Sequence, residues 1–352
     1  MDIITRPKAQ VGSQQFISIY FSISAASMKF SFAILIALLF CQATHAQTTK
    51  ANAEKATRQY LHAMQLAKTD PYTAISLLKD CQKLDPDVIV YPLQIAFTHY
   101  LNGDYSKALR LLENLQYHPK ANPSVYVLTY QCWQKQKDLK RAMSFLDKGL
   151  KRFPNSGRLS LEKALYYYDL HDSAQCMQWL NRGIRVEPTF SKNYFYKTIM
   201  LLSQHQNQEA QANAEMFALL TEEQQIPANI SKLLFQLQAD SVRKLYARND
   251  TAGTARLNTI QKEYVISPID SLCSKLLSAK RFGYFQSNNV QLQSSLDMIH
   301  QAIVKAGHYE AYLHWLYSYG DRPGFKNWTE ANEITWKNFQ TWHKRFVQDA
   351  EE

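Results

Sequence analysis

Apolar residues three and four places apart mark helix after helix along this chain. Toward the C-terminus, Ile230, Leu233, Leu234 and Leu237 share one helical face, with Asn229 placed as an N-cap. Ser267-Pro268 then supplies a cap and a first-turn proline ahead of Ile269, Leu272, Cys273, Leu276 and Leu277, again on one face. Lys280 and Arg281 suit the negative end of that helix, and Gly283 stops it. Further helices are expected from about Val290 to Gly307 and from His308 to Gly320. The turn Gly320-Asp321-Arg322-Pro323-Gly324 leads to a last one carrying Trp336, Phe339, His343 and Phe346.

Before residue 224 the same helical spacing acquires a longer period. Steps of 34 residues from Ala108 reach Ala74 backwards and Ala142, Cys176 and Ala210 forwards. Four places after each stand Leu78, Leu112, Leu146, Leu180 and the smaller Ala214. Twelve places after the small residues come Pro86, Pro154 and Pro188, with Lys120 and Glu222 in the other two and Pro119 one residue early. The segment Gly103-Asp104-Tyr105, with Ala96 before it and Leu112 after, anchors the pattern. A fixed period of this length means one supersecondary unit stacked on copies of itself.

The small residue, aromatic, alanine and closing proline at this spacing resemble the tetratricopeptide repeat, a helix–turn–helix unit. The resemblance covers roughly residues 55–224, as five repeats starting at Lys55, Ile89, Pro123, Gly157 and Ser191. It implies an all-α fold, an α-solenoid forming a right-handed superhelix, followed by a small helical, aromatic-rich C-terminal region over 225–352. The residue types have physical reasons. Ala108 and its equivalents sit where the second helix of a repeat crosses the first closely, so a large side chain would overpack. Pro154 and Pro188 end one repeat, because proline cannot continue a helix. The first repeat has His62, and the fifth Thr198, where the small residue of the first helix belongs. Beyond 224 the register would place Lys244 and Arg248 at the alanine and leucine positions, so the repeat stops there.

The N-terminus carries a different signal. Phe30–Phe40 reads FSFAILIALLF behind Met28-Lys29, too short for a membrane span and suited to a secretory leader. Thr44-His45-Ala46 offers small residues for cleavage before Gln47. Residues 28–46 are therefore expected to be a signal peptide, residues 1–27 to lie outside the natural product, and 47–224 to form the array. Phe40 ahead of Cys41 argues against a lipid anchor. The expected product is exported, in the periplasm or at the cell envelope of a Gram-negative type of bacterium, with no membrane span left after cleavage.

Composition narrows the function. Hydrophobic residues are 46% and charged residues 20%, enough apolar surface for a buried core. Gly numbers only 10 and Pro 11 among 352 residues, which disfavours turn-rich β folds. Gly320 and Gly324 bracket Asp321-Arg322-Pro323 without a preceding strand, so no phosphate-cradling loop exists. The net charge of +10 drops to +8 without residues 1–46, which hold three bases and one acid. The bases are scattered, with pairs such as Lys140-Arg141, Lys280-Arg281 and Lys344-Arg345 the longest runs, so nucleic-acid binding is not expected. Cys81, Cys132, Cys176 and Cys273 lie in apolar helical patterns with no CxxC spacing, and buried free thiols are expected.

No HExxH, GxSxG or Cys–His pair is present, so no enzyme, cofactor or metal is expected. His300, His308 and His314 are separated by the helix-breaking Gly307 or point to different faces. Asp104 and Asp172 are turn residues before they are chemistry. Trp315, Trp328, Trp336 and Trp342, with Tyr312, Tyr317 and Tyr319, form either an aromatic platform for a sugar or peptide or a small aromatic core, and packing is preferred.

What the resemblance implies is a scaffold that holds a protein or peptide segment on the concave side of the first helices. The lining places it assigns include Leu93, Phe97 and Tyr100, then Gln131, Gln134 and Lys135, then Leu165 and Tyr168, and Phe195. The Lys and Asn pair with which some repeats clamp a C-terminal carboxylate is missing. An apolar segment held by side-chain burial is therefore expected. The alternative is a carbohydrate-binding component of a cell-envelope uptake or processing system.

Overall fold

The computed structural model describes residues 51–221, 226–247, 290–320 and 322–351, and every element among them is helical. The leader expected at 28–46 and the helix expected after Ser267-Pro268, with Cys273, lie outside the described residues. The chain divides into two compact units, one ending at Ala121 and one beginning at Asn122.

The first unit holds α1 (51–66), α2 (Pro71–Leu84), α3 (Val90–Leu101) and α4 (Tyr105–Leu115). Its core joins Ala56 and Ala63 of α1, Ala74, Leu78 and Cys81 of α2, and Tyr91 and Ile95 of α3. The Cys81 thiol donates to the Ala56 carbonyl at 3.2 Å. The second unit begins with three hairpins, α5 (Pro123–Lys135) with α6 (Leu139–Arg152), α7 (Gly157–Asp169) with α8 (Ser173–Val186), and α9 (Lys192–Ser203) with α10 (Asn207–Leu219). It continues with α11 (Ala228–Ala247), α12 (Val290–Lys305), α13 (Tyr309–Leu316), α14 (Arg322–Ala331) and α15 (Glu333–Glu351).

The 34-residue register is reproduced in space. Ala74, Ala108, Ala142, Cys176 and Ala210 are all at most 2% exposed, as are Leu78, Leu112, Leu146, Leu180 and Ala214. Gly149 shows how closely neighbouring helices approach, since a Cβ there would lie 2.8 Å from Tyr126 Cβ. Gly183, one period later, is just as confined, against the Asn193 amide of α9. Cys81, Cys132 and Cys176 are buried free thiols. Burial pushes Cys132 up to about 12 and Cys176 to about 11, which keeps both protonated and inert.

The turns between the two helices of a repeat share one device. Gly103, Lys137, His171 and His205 have φ of 80°, 62°, 58° and 58°, and they too are 34 apart. The next residue in each case closes the helix by donating its amide five residues back, from Asp104 to His99, Asp138 to Trp133, Asp172 to Tyr167 and Gln206 to Leu201, at 2.8–3.0 Å. This is a Schellman closure, in which the left-handed residue lets one amide satisfy an orphan carbonyl. At two of the four turns the closing residue then caps the following helix. The Asp138 and Asp172 carboxylates accept from the amides of Arg141 and Gln175 at 2.9 and 3.0 Å. Asp104 instead accepts from Lys107 at 2.9 Å, and that contact holds its carboxyl below the usual range.

The first repeat departs from this register. Its turn closes with Asp70 N–H donating to Leu66, four residues back, and contains no left-handed residue. The first helix is therefore shifted by one place. Ala63 is fully buried and His62 is exposed, so the small residue expected at 62 stands at 63. In the fifth repeat Thr198 fills the small place by returning its hydroxyl to the Tyr194 carbonyl at 2.9 Å.

The C-terminal helices differ in detail from the sequence pattern. Asn229 lies inside α11 rather than capping it, because the amides of Ile230 and Ser231 already reach the Pro227 carbonyl. Ile230, Leu234 and Leu237 are buried as their spacing requires. Gly307, with φ of 74°, ends α12. Arg322-Pro323-Gly324 opens a helix instead of forming a turn, since proline suits a first helical turn, and the expected last helix is two, α14 and α15.

Candidate binding faces on the first helices

In the first unit the candidate residues lie on α3. Phe97 is 39% exposed, and its ring stacks on that of Tyr100 with centroids 6.2 Å apart. Tyr100 in turn meets Tyr105 at 5.7 Å. Leu93 is half-buried, while Val90 and Leu101 are exposed on the same helix. An aliphatic and aromatic surface is thus left open on a helix whose other side, at Tyr91 and Ile95, is core.

In the second unit α5 packs on α7, and α7 on α9. Lys135 and Tyr168 are exposed, and Ile199 of α9 is 36% exposed. Leu165 is half-buried against the cluster of Leu161, Ala164, Cys176, Leu180 and Met200. Phe195 packs on Phe217 and Tyr196 with centroids 5.2 Å apart in both pairs. The two glutamines already have internal partners. Gln131 donates to Glu162 Oε1 at 2.8 Å, and Gln134 donates to the Tyr130 hydroxyl at 2.6 Å. Among the nine candidates the structure therefore exposes Phe97, Lys135 and Tyr168 most, and gives Gln131, Gln134, Leu165 and Phe195 packing roles as well.

Sequence reasoning missed Glu162. It sits one place past Leu161 on α7, outside the lining positions that the repeat pattern assigns, and is 9% exposed. Burial raises its carboxyl to about 7, against the lowering effect of the Gln131 hydrogen bond and the charges of Lys192 and Arg158. Tyr130 is buried beside it, and desolvation together with Glu162 raises its hydroxyl. Nothing in a local sequence window marks either. A second buried acid, Glu215 of α10, binds His300 Nε2 at 2.8 Å and accepts from the Tyr312 hydroxyl.

The C-terminal aromatics face inward. Trp315, Tyr312, Trp328 and Phe339 are each at most 4% exposed, with His314 stacked on Trp328 at 4.4 Å. Trp336 and Trp342 are half-buried and stack on Phe339. His343 donates from Nε2 to the Leu219 carbonyl at 3.1 Å, which fixes its tautomer, and burial lowers its basicity. Burial likewise lowers His308, which lies against Trp342 at 5.7 Å. The rings cap the end of α10 rather than forming an open platform.

Helical hairpins with a 34-residue period, tight left-handed turns and alanine crossings define a helical-repeat solenoid. Residues 99–165 match the family model described as tetratricopeptide repeat. Solved structures similar to it include MamA (residues 41 to the end) from Desulfovibrio magneticus RS-1, at 16% identity and TM-score 0.32, covering 47% of this chain and 93% of that one. YrrB, a TPR protein with an unusual peptide-binding site, is 11% identical with TM-score 0.30, covering 50% and 91%. The human IFIT1 dimer with m7Gppp-AAAA is 13% identical with TM-score 0.41, covering 88% and 65%. No curated protein matches the chain.

Proposed function

We propose that the chain is an exported scaffold that holds apolar segments of partner protein on the exposed first-helix face of each unit. The observation that carries this is the pair of exposed rings, Phe97 at 39% and Tyr168 at 45%, on helices whose opposite sides are core. Removing such a ring from water on contact with a partner is the kind of burial that dominates protein recognition. Glu162 and the two glutamines do not replace that apolar contact. Gln131 and Glu162 join α5 to α7, while Gln134 bonds Tyr130 within α5. Export rests on the Phe30–Phe40 run and the small residues before Gln47. Among the described residues no helix is long and apolar enough to cross a membrane.

Crosslinking pull-down from envelope extracts identifies the partner. Phe97→Ala and Tyr168→Ala, with unchanged circular dichroism, should then each weaken binding by about 1–2 kcal/mol. Full affinity in both variants would move the binding surface off these helices. N-terminal sequencing of the exported product should begin at Gln47. A product that keeps Phe30–Phe40 would reject the leader.

A further inference from the structure

The candidate faces above lie on first helices, but the largest concentration of unbalanced charge lies on a second helix. Helix α6 reads LKRAMSFLDKGLKR, with five bases and one acid. A cavity of about 640 Å³ opens along it, lined by Leu139, Lys140, Met143, Ser144, Asp147, Lys148, Lys151 and, from α7, Tyr166. Helical spacing sorts these into two stripes. Lys140, Ser144, Lys148 and Lys151 follow one another on one line, and Leu139, Met143 and Asp147 on the next.

The one acid of the lining is already neutralised. Asp147 Oδ1 is 2.8 Å from Lys163 Nζ, whose side chain is only 11% exposed. Among the described residues no carboxylate pairs with Lys140, Lys148 or Lys151, all of which are exposed. Leu139 is 52% exposed, and Met143 and Tyr166 are half-buried, so the cationic line runs beside an open apolar one.

We propose that this face of α6 docks an acidic segment of a partner protein that carries an apolar anchor. The lysines span about 16 Å along the axis, the length of about eleven helical residues. Glutamates or aspartates along that length would meet the three ammonium groups, while an aliphatic or aromatic side chain enters between Leu139, Met143 and Tyr166. A nucleic acid fits this surface less well. Its evenly charged backbone has no counterpart for the apolar line and would bring phosphate against the Asp147 carboxylate. Its lysines belong to a second helix, whereas Phe97 and Tyr168 belong to first helices.

The test uses the chain from Gln47 and a fluorescein-labelled twelve-residue peptide of glutamates with leucine at every fourth place. Fluorescence anisotropy is read at low and moderate salt, beside three control probes. These are the same peptide with glutamine for glutamate, the same with serine for leucine, and a twelve-nucleotide oligothymidylate. The acidic probe should bind, weaken several-fold with added salt, and lose at least ten-fold with the glutamine control and several-fold with the serine control. Lys140→Glu with Lys148→Glu and Lys151→Glu should abolish at least ten-fold of the affinity. The corresponding triple Arg replacement should keep it within about two-fold, which separates charge from folding. No binding of the acidic probe, equal binding by the triple Glu variant with native circular dichroism, or tighter binding of the oligonucleotide would each overturn the proposal.

Discussion

Glu162→Gln isolates the energetic cost of one buried carboxylate. In the fold this group ionises near 7 instead of 4.5, chiefly because burial removes water from the charged form. Each unit of that difference is worth about 1.4 kcal/mol, so holding Glu162 charged in the native state costs about 3 kcal/mol once the pH is above both values. The sign follows from which state releases its proton first. Below about 4.5 the carboxyl is neutral in both states and the native state bears no penalty. As pH rises, the unfolded chain releases its proton before the folded one, so stability falls until the folded value near 7 is passed. Glutamine has nearly the same shape, stays neutral throughout and keeps an oxygen for the Gln131 amide. The substitution should therefore stabilise the protein by about 2–3 kcal/mol at pH 8 and by well under 1 kcal/mol at pH 4.5. Urea denaturation followed by circular dichroism at the two pH values measures both. An equal effect at the two pH values, or a loss of stability at pH 8, would refute the reasoning.

The turns and the crossings offer two independent checks. His171→Gly should stabilise by up to about 1 kcal/mol, because a left-handed conformation costs an L-residue more than glycine loses in entropy. Gly103→Ala should destabilise by about 1 kcal/mol from its positive φ, as no atom lies near the added methyl. The same denaturation assay reads both, and a stabilised Gly103→Ala protein would contradict the shared turn. Ala108→Leu or Ala142→Leu should cost about 1–3 kcal/mol by overpacking. Lys107→Leu, on the exposed side, should change stability by only about 0.5 kcal/mol, and equal melting of the three variants would show that the crossing register is wrong.

The repeat and its period were legible because they are written in local rules. Ala74, Ala108, Ala142, Cys176 and Ala210 recur every 34 residues because each repeat presents the same crossing, and all are buried. The helix starts at Pro123 and Gly157 fall where the spacing placed them. The candidate faces were only half legible. Helical position put Phe97 and Tyr168 on open sides, but could not show that Gln131 and Gln134 were already engaged with Glu162 and Tyr130.

By itself the sequence determined the class of fold, the register of the small and leucine positions, and the burial of Cys81, Cys132 and Cys176, because each depends on residue type at a repeated distance. The tertiary structure alone decided the rest. It shifted the first helix by one residue, because a turn that closes four residues back shortens the connection. It gave Lys137, His171 and His205 the left-handed conformation that only Gly103 advertises, since the Schellman bond holds all three there, with an aspartate cap following the first two. It turned the tryptophans inward and raised Glu162, because burial depends on which distant helices close over a side chain. It also gathered Lys140, Lys148 and Lys151 beside an open apolar stripe and paired the intervening acid with Lys163 of the next helix. Spacing along a chain fixes what one helix presents, while the charge and solvation of each position are set by its neighbours in space.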